Sequence, residues 1–193
     1  MITPKFIFAL LAGILALIGN IPYLVRMFRG HVRPHPYTWF IWSIVSGVTF
    51  FGQWAGGAGW ALIAFGASEI FTIIIFLFSL RYGFKHIPKH DTVYLIVALL
   101  GILPWIISRD PTWSVVIMVS LDVIAFIPTL IKTSRHPQSE TPVLYGANTL
   151  RHTLALVALG NYNIATMLHS ITMILTNTGM VILIALKPKK SGR

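Results

Sequence analysis

The chain has 193 residues, of which 55% are hydrophobic and only 10% charged, with no cysteine and a formal charge of +10. A mean hydropathy of +0.76 excludes a soluble domain of this length, because too few polar residues remain to cover a core in water. The missing cysteines exclude disulfides, thiolate nucleophiles and cysteine metal sites.

A helix needs about 20 apolar residues to cross roughly 30 Å of hydrocarbon. Since lipid satisfies no backbone groups, spans must be helical. Seven apolar runs are therefore predicted as transmembrane helices, Phe6 to Phe28, Tyr37 to Trp54, Trp60 to Leu80, Val93 to Ile107, Trp113 to Ile131, Pro142 to Leu159 and Ile164 to Leu186. The first has only Lys5 ahead of it and is too long for a cleaved secretory signal, so it is read as a retained span. The fourth is short, has no ionisable residue and ends at the turn-forming Arg109-Asp110-Pro111, as suits a linker.

Ile21-Pro22-x-Leu24-Val25-Arg26, followed by Pro36, returns 106 positions later as Ile127-Pro128-x-Leu130-Ile131-Lys132, followed by Pro142. This ungapped register reads as a duplication. It predicts an all-α membrane protein with two parallel three-helix bundles joined by a linker helix, a 3+1+3 arrangement about an axis along the membrane normal. Residues 1–86 form the first repeat, 87–111 the linker, 112–187 the second repeat and 188–193 a basic tail.

The positive charge follows this path. Arg26, Arg29, Arg33, Arg81, Lys85, Lys89, Lys132, Arg135, Lys187, Lys189, Lys190 and Arg193 fall on one side, and Lys5 and Arg109 on the other. The positive-inside rule puts the N-terminus outside and the C-terminus in the cytoplasm of a multi-pass cell-membrane protein. Anionic lipid headgroups account for the charge, and without a basic groove or binding motif nucleic acid is not expected as a partner.

Charges at bilayer depth are costly and must face the bundle interior or water. Glu69, Asp122, Arg151, His152 and His169 are such groups. Asp122 lies two turns before Pro128 and is placed to pair with Arg151, as a fixed ion pair or, with His152, in proton coupling. Glu69, in the middle of its span without an evident partner, is assigned to substrate. Helical spacing draws polar stripes along the seventh span (His169, Thr172, Thr176, with Asn177 adjacent) and the second (Trp42, Ser46, Thr49, Gln53). His31, His35, His86, His90 and His136 fall in cytoplasmic loops without metal-ligand spacing. No lysine sits in the middle of a span, which excludes a retinal Schiff base. Neither cofactor nor metal is expected, nor an enzyme, since no nucleophile elbow or paired carboxylates occur.

The repeated helix-Pro-x-x-x-x-basic-loop-helix unit, in seven spans with an external N-terminus, resembles the PQ-loop and sugar-transporter (SWEET, MtN3-like) superfamily over nearly the whole chain. The glutamine after the proline is Tyr23 in one copy and Thr129 in the other. The fuller run Pro22-Tyr23-x-x-Arg26-x-x-Arg29-Gly30-x-x-Arg33-Pro34-His35-x-x-Thr38-Trp39-x-x-Trp42 is also similar to uncharacterised small bacterial seven-helix membrane proteins. The resemblance implies hinges at Pro22 and Pro128. It also implies a pocket in which Trp42 and Asn148, equivalent positions of the two repeats, face one another. The expectation is an alternating-access carrier of a small polar solute, open to proton coupling, whose site is formed by Trp42, Glu69, Asn148, His169 and Asn177. The alternative is a receptor that binds through the same bundle without transport. Homo-oligomerisation is left open.

Overall fold

The computed structural model describes residues 3–30, 34, 36–83, 96, 99, 100, 103, 107, 110–135 and 142–186; within these, the side chains of Arg26, Thr38, Pro111, Pro128, Thr129, Lys132, Arg135 and some apolar neighbours are left aside. Six α-helices are present among the described residues, with no strand. They are α1 (Pro4–Phe28), α2 (Pro36–Ala55), α3 (Leu62–Tyr82), α4 (Pro111–Arg135), α5 (Pro142–Val157) and α6 (Ile164–Leu186), and a 3-10 turn Gly59–Ala61 leads into α3. Of the predicted fourth span, 93–107, only residues 96, 99, 100, 103 and 107 are described. They are helical and exposed. The basic tail, Arg33, Lys85, Lys89, and the loop histidines His31, His35, His86, His90 and His136 lie outside the described residues.

Local chemistry sets the helix ends. Thr3 caps α1 by accepting from the Phe6 amide, with Pro4 in the first turn where its missing N–H is no loss. Asp110 caps α4 through the Thr112 amide at 2.7 Å. Asn163 caps α6 reciprocally: its Oδ1 accepts from the Thr166 amide at 3.1 Å, and its own amide donates to Thr166 Oγ1 at 3.1 Å. α2 ends in a Schellman motif, with the Ala58 amide on Gln53 O and the Gly57 amide on Trp54 O. Gly57 takes the required positive φ of 81°. α1 runs unbroken through Pro22, whose ring is exposed.

Three segments, Pro4–Val25, Gly59–Tyr82 and Ile164–Leu186, are long and apolar enough to cross a membrane. α2, α4 and α5 are more polar, and α5, with 16 residues, is only about 24 Å long. The molecule is inside-out by the standards of a water-soluble protein. Large apolar side chains such as Ile18, Ile70, Leu77, Leu80 and Leu175 are exposed, while Thr49, Gln53, Ser114, His152, Thr166, Ser170 and Asn177 are buried.

The helices pack as a ring in the order α1, α3, α2, α4, α6, α5 and back to α1. Exchanging α1, α2 and α3 with α4, α5 and α6 carries this set of contacts onto itself. One end of the ring is closed by small side chains. Ala9, Ala12, Ala58, Ala61, Ala64, Ala155 and Ala158 cluster with Phe65 and Leu159, so that helix backbones approach closely. Above them the α2–α3 and α5–α6 connections bond to one another, the Gly160 amide donating to Ala58 O at 2.9 Å and the Asn161 amide to Gly57 O at 3.0 Å. Asn163 Nδ2 donates to Gly56 O at 2.8 Å, and Lys5 Nζ to Leu159 O at 2.6 Å. Exposed Trp54, Trp60, Trp113 and Tyr162 surround this latched end, a girdle of the kind found at membrane–water interfaces. Arg29 and Arg81 are exposed at the opposite end.

Candidate functional site

Below the latched end lies a cavity of about 700 Å³ to which all six helices contribute. Phe65, His152 and His169 form its floor. The two imidazole rings are 5.3 Å apart by centroids, and Phe65 lies 5.8 Å from His169 and 6.5 Å from His152. Phe65 also belongs to the alanine cluster, so the floor is continuous with the seal. At the far side Tyr23 packs 5.1 Å from Trp39, which meets Trp42 edge-on at 5.1 Å. In the second half Phe126 meets Tyr145 at 6.3 Å. Each trio of helices thus contributes an aromatic pair bridging its first and second members.

The charged groups come from α4, α5 and α6. Arg151 Nη2 lies 2.8 Å from His152 Nε2. His169 Nε2 lies 3.8 Å from Asp122 Oδ2, with side-chain exposures of 15% and 20%. The expected Asp122–Arg151 pair is not formed; each group faces a histidine instead. The reason is geometric: α4 and α5 each pack mainly on α6 and meet one another only loosely, at Phe126 and Tyr145. Nδ1 of His152 and of His169 is buried without a hydrogen-bond partner among the described groups. These residues make no metal centre, since no three His, Cys, Asp or Glu side chains converge among the described residues.

No known protein family, curated protein or solved structure matches the chain. The site therefore rests on its own geometry.

Glu69 sits behind the cavity wall. Ser46 Oγ, on the wall, contacts both Glu69 Oε2 and its own helix carbonyl Trp42 O, the latter at 2.6 Å. Gly47 makes room, for a Cβ there would stand 3.4 Å from Glu69 Oε1. The midspan carboxyl is thus partnered, contrary to the expectation from sequence, because α2 and α3 are neighbours. A serine has one hydroxyl hydrogen for these two acceptors. Its hydrogen is shared between the Glu69 carboxyl and Trp42 O.

Of the five residues expected to hold substrate, Trp42 and His169 line the cavity, and Asp122, Arg151 and His152 join them. Glu69, Asn148 and Asn177 do not. Asn177 is buried with Nδ2 on its own helix, donating to Met173 O at 2.7 Å, and of the implied Trp42–Asn148 pair only Trp42 is on the wall. Pro22 is exposed beside Tyr23, which does line it; the Pro128 ring is outside the described side chains. Sequence reasoning missed Tyr23, Phe50, Phe65, Phe126 and Met173 as wall residues. Nothing local marks them, because an aromatic residue facing a cavity and one facing lipid have the same composition and helical period.

Proposed function

We propose that the protein is a multi-pass carrier of a small polar solute in the cell membrane, working by alternating access between two three-helix units. The carrying observation is a cavity lined by ionisable groups and closed at one end by hydrogen bonds that join the connections of the two units. Carriers keep such sites at midplane depth between repeats, reached by rocking of one bundle on the other. The 3+1+3 path, an external N-terminus and a cytoplasmic C-terminus are part of this reading, as is the likeness to PQ-loop and SWEET proteins. The 106-residue register, the helix exchange that preserves the packing pattern, and the one-sided charge support it. On this topology the latched end faces outside, and Pro22 and Pro128 absorb the bending. Glu69, held by Ser46, is the proton-coupling group of the cycle.

The absence of cysteine makes the test direct. Ser68, on the wall, is changed to cysteine and the purified chain reconstituted in liposomes, with a membrane-impermeant maleimide supplied from either face. A carrier is labelled from both faces and exchanges labelled solute. Labelling from one face only, under all solute and pH conditions, instead identifies a one-sided receptor pocket.

A further inference from the structure

We infer that the cavity takes a zwitterionic solute, with Arg151 receiving its carboxylate and Asp122 its ammonium group. The inference rests on the carrier reading and names its substrate class.

Arg151 and Asp122 both stand on the wall of one cavity, yet they do not pair with one another. A guanidinium has five N–H groups in a planar fork suited to a carboxylate. The one described partner of Arg151 is His152 Nε2 at 2.8 Å, and an imidazole nitrogen that accepts from arginine is uncharged. The arginine charge therefore remains uncompensated. Asp122 stands 3.8 Å from His169, beyond hydrogen-bond distance. The order of contacts Asp122, His169, His152, Arg151 sets two imidazoles between the opposite charges, with Phe65 packed against both rings. A direct pair would cancel both charges and leave nothing to recognise; this spacing keeps both available.

A low-dielectric site with a guanidinium and a carboxyl that are not paired with each other discriminates among solutes by what each leaves without a partner. A neutral sugar leaves both charges unmatched, a carboxylic acid leaves Asp122, and an amine leaves Arg151. Only a solute bearing both groups satisfies both. Trp42, Phe126 and Met173 offer apolar wall to the remainder of the molecule.

The test is equilibrium binding to the purified full chain of four probe sets at equal concentration. They are a labelled mixture of neutral L-amino acids, the matching carboxylic acids without the amine, the matching amines without the carboxylate, and D-glucose. The expected result is retention of the amino acids at least about tenfold above every other set. Arg151→Gln is expected to erase that preference and leave amines favoured over acids, and Asp122→Asn to leave acids favoured over amines. Equal or better retention of any other set, no retention of amino acids, or unchanged preference in both folded variants overturns the inference. Should either variant fail to fold, the wild-type ranking alone decides. Amino acids that bind but never cross in proteoliposomes sink the carrier reading and leave the solute class standing. Glucose flux without amino-acid binding does the reverse.

Discussion

In α2 and α3 the hydroxyls of Ser43, Thr49 and Thr72 each donate to the carbonyl four residues back, and Ser46 adds the Glu69 carboxyl to the same self-contained set. In α4, α5 and α6 the cavity receives Asp122, Arg151, His152 and His169, none of which is held by its own backbone. The two sets of helices share one packing pattern. Hydroxyls bond their own helix in both, as Thr149, Thr153 and Thr176 do in the second; the difference is that only the second adds carboxyl, guanidinium and imidazole side chains to the cavity wall. Hydroxyls that bond their own helix are already satisfied and add little to recognition. The chemistry of the cavity is therefore concentrated in the second set, and the first provides wall, part of the seal and a single half-buried carboxyl.

The sharpest way to break this contrast is to compare one residue from each set. Arg151→Gln should lower solute retention by roughly 10- to 100-fold, since a hydrogen bond to a charged group contributes about 1.5–3 kcal/mol; Thr72→Ala should change the same binding isotherm by less than about twofold. A smaller difference between the two would erase the asymmetry.

Next in size, Glu69→Gln keeps an acceptor for Ser46 Oγ but cannot take up or release a proton. Accumulation of the labelled amino-acid mixture in response to an imposed pH gradient should fall by roughly tenfold in proteoliposomes, while counterflow without a gradient persists. Unaltered gradient-driven accumulation would remove Glu69 from the cycle.

The seal is tested by Gly160→Ala, whose Cβ would stand 2.7 Å from Gly57 O. Together with the Lys5 contact, the bonds that close this end are worth on the order of 1 kcal/mol each. Displacing the two connections should raise outside labelling of a Ser68→Cys background several-fold, and an unchanged rate would mean that this end is not a gate. The smallest effect concerns stability. Asn163→Ala removes the α6 cap and the bond to Gly56 O, and should cost about 1–2 kcal/mol, read as a lower melting temperature of the detergent-solubilised chain. If that temperature is unchanged, the cap contributes nothing.

Much of the architecture was legible beforehand. The seventh predicted run coincides with α6 at both ends, and those at Tyr37, Trp113 and Pro142 begin within two residues of α2, α4 and α5, though α4 runs on four residues past the predicted end. Lipid selects apolar composition over a fixed length, and prolines mark the starts, so membrane helices announce themselves. The candidate site was less legible. Ionisable residues within spans stood out because burying a charge is costly, and Asp122, Arg151, His152 and His169 do meet on one wall. Their partners did not stand out. Asp122 faces His169 rather than Arg151, Glu69 is held by Ser46, and Asn177 turns back to its own helix.

Sequence by itself determined that this chain is helical and apolar, where its charges lie along the path, and which few side chains must avoid lipid. Composition, helical period and the cost of an unsolvated charge are local properties that one strand of letters carries. Tertiary structure alone decided which of those side chains share a cavity and which are satisfied at home. That choice depends on the ring order α1, α3, α2, α4, α6, α5, which sets residues far apart in the chain within a few ångströms, and no local pattern encodes it.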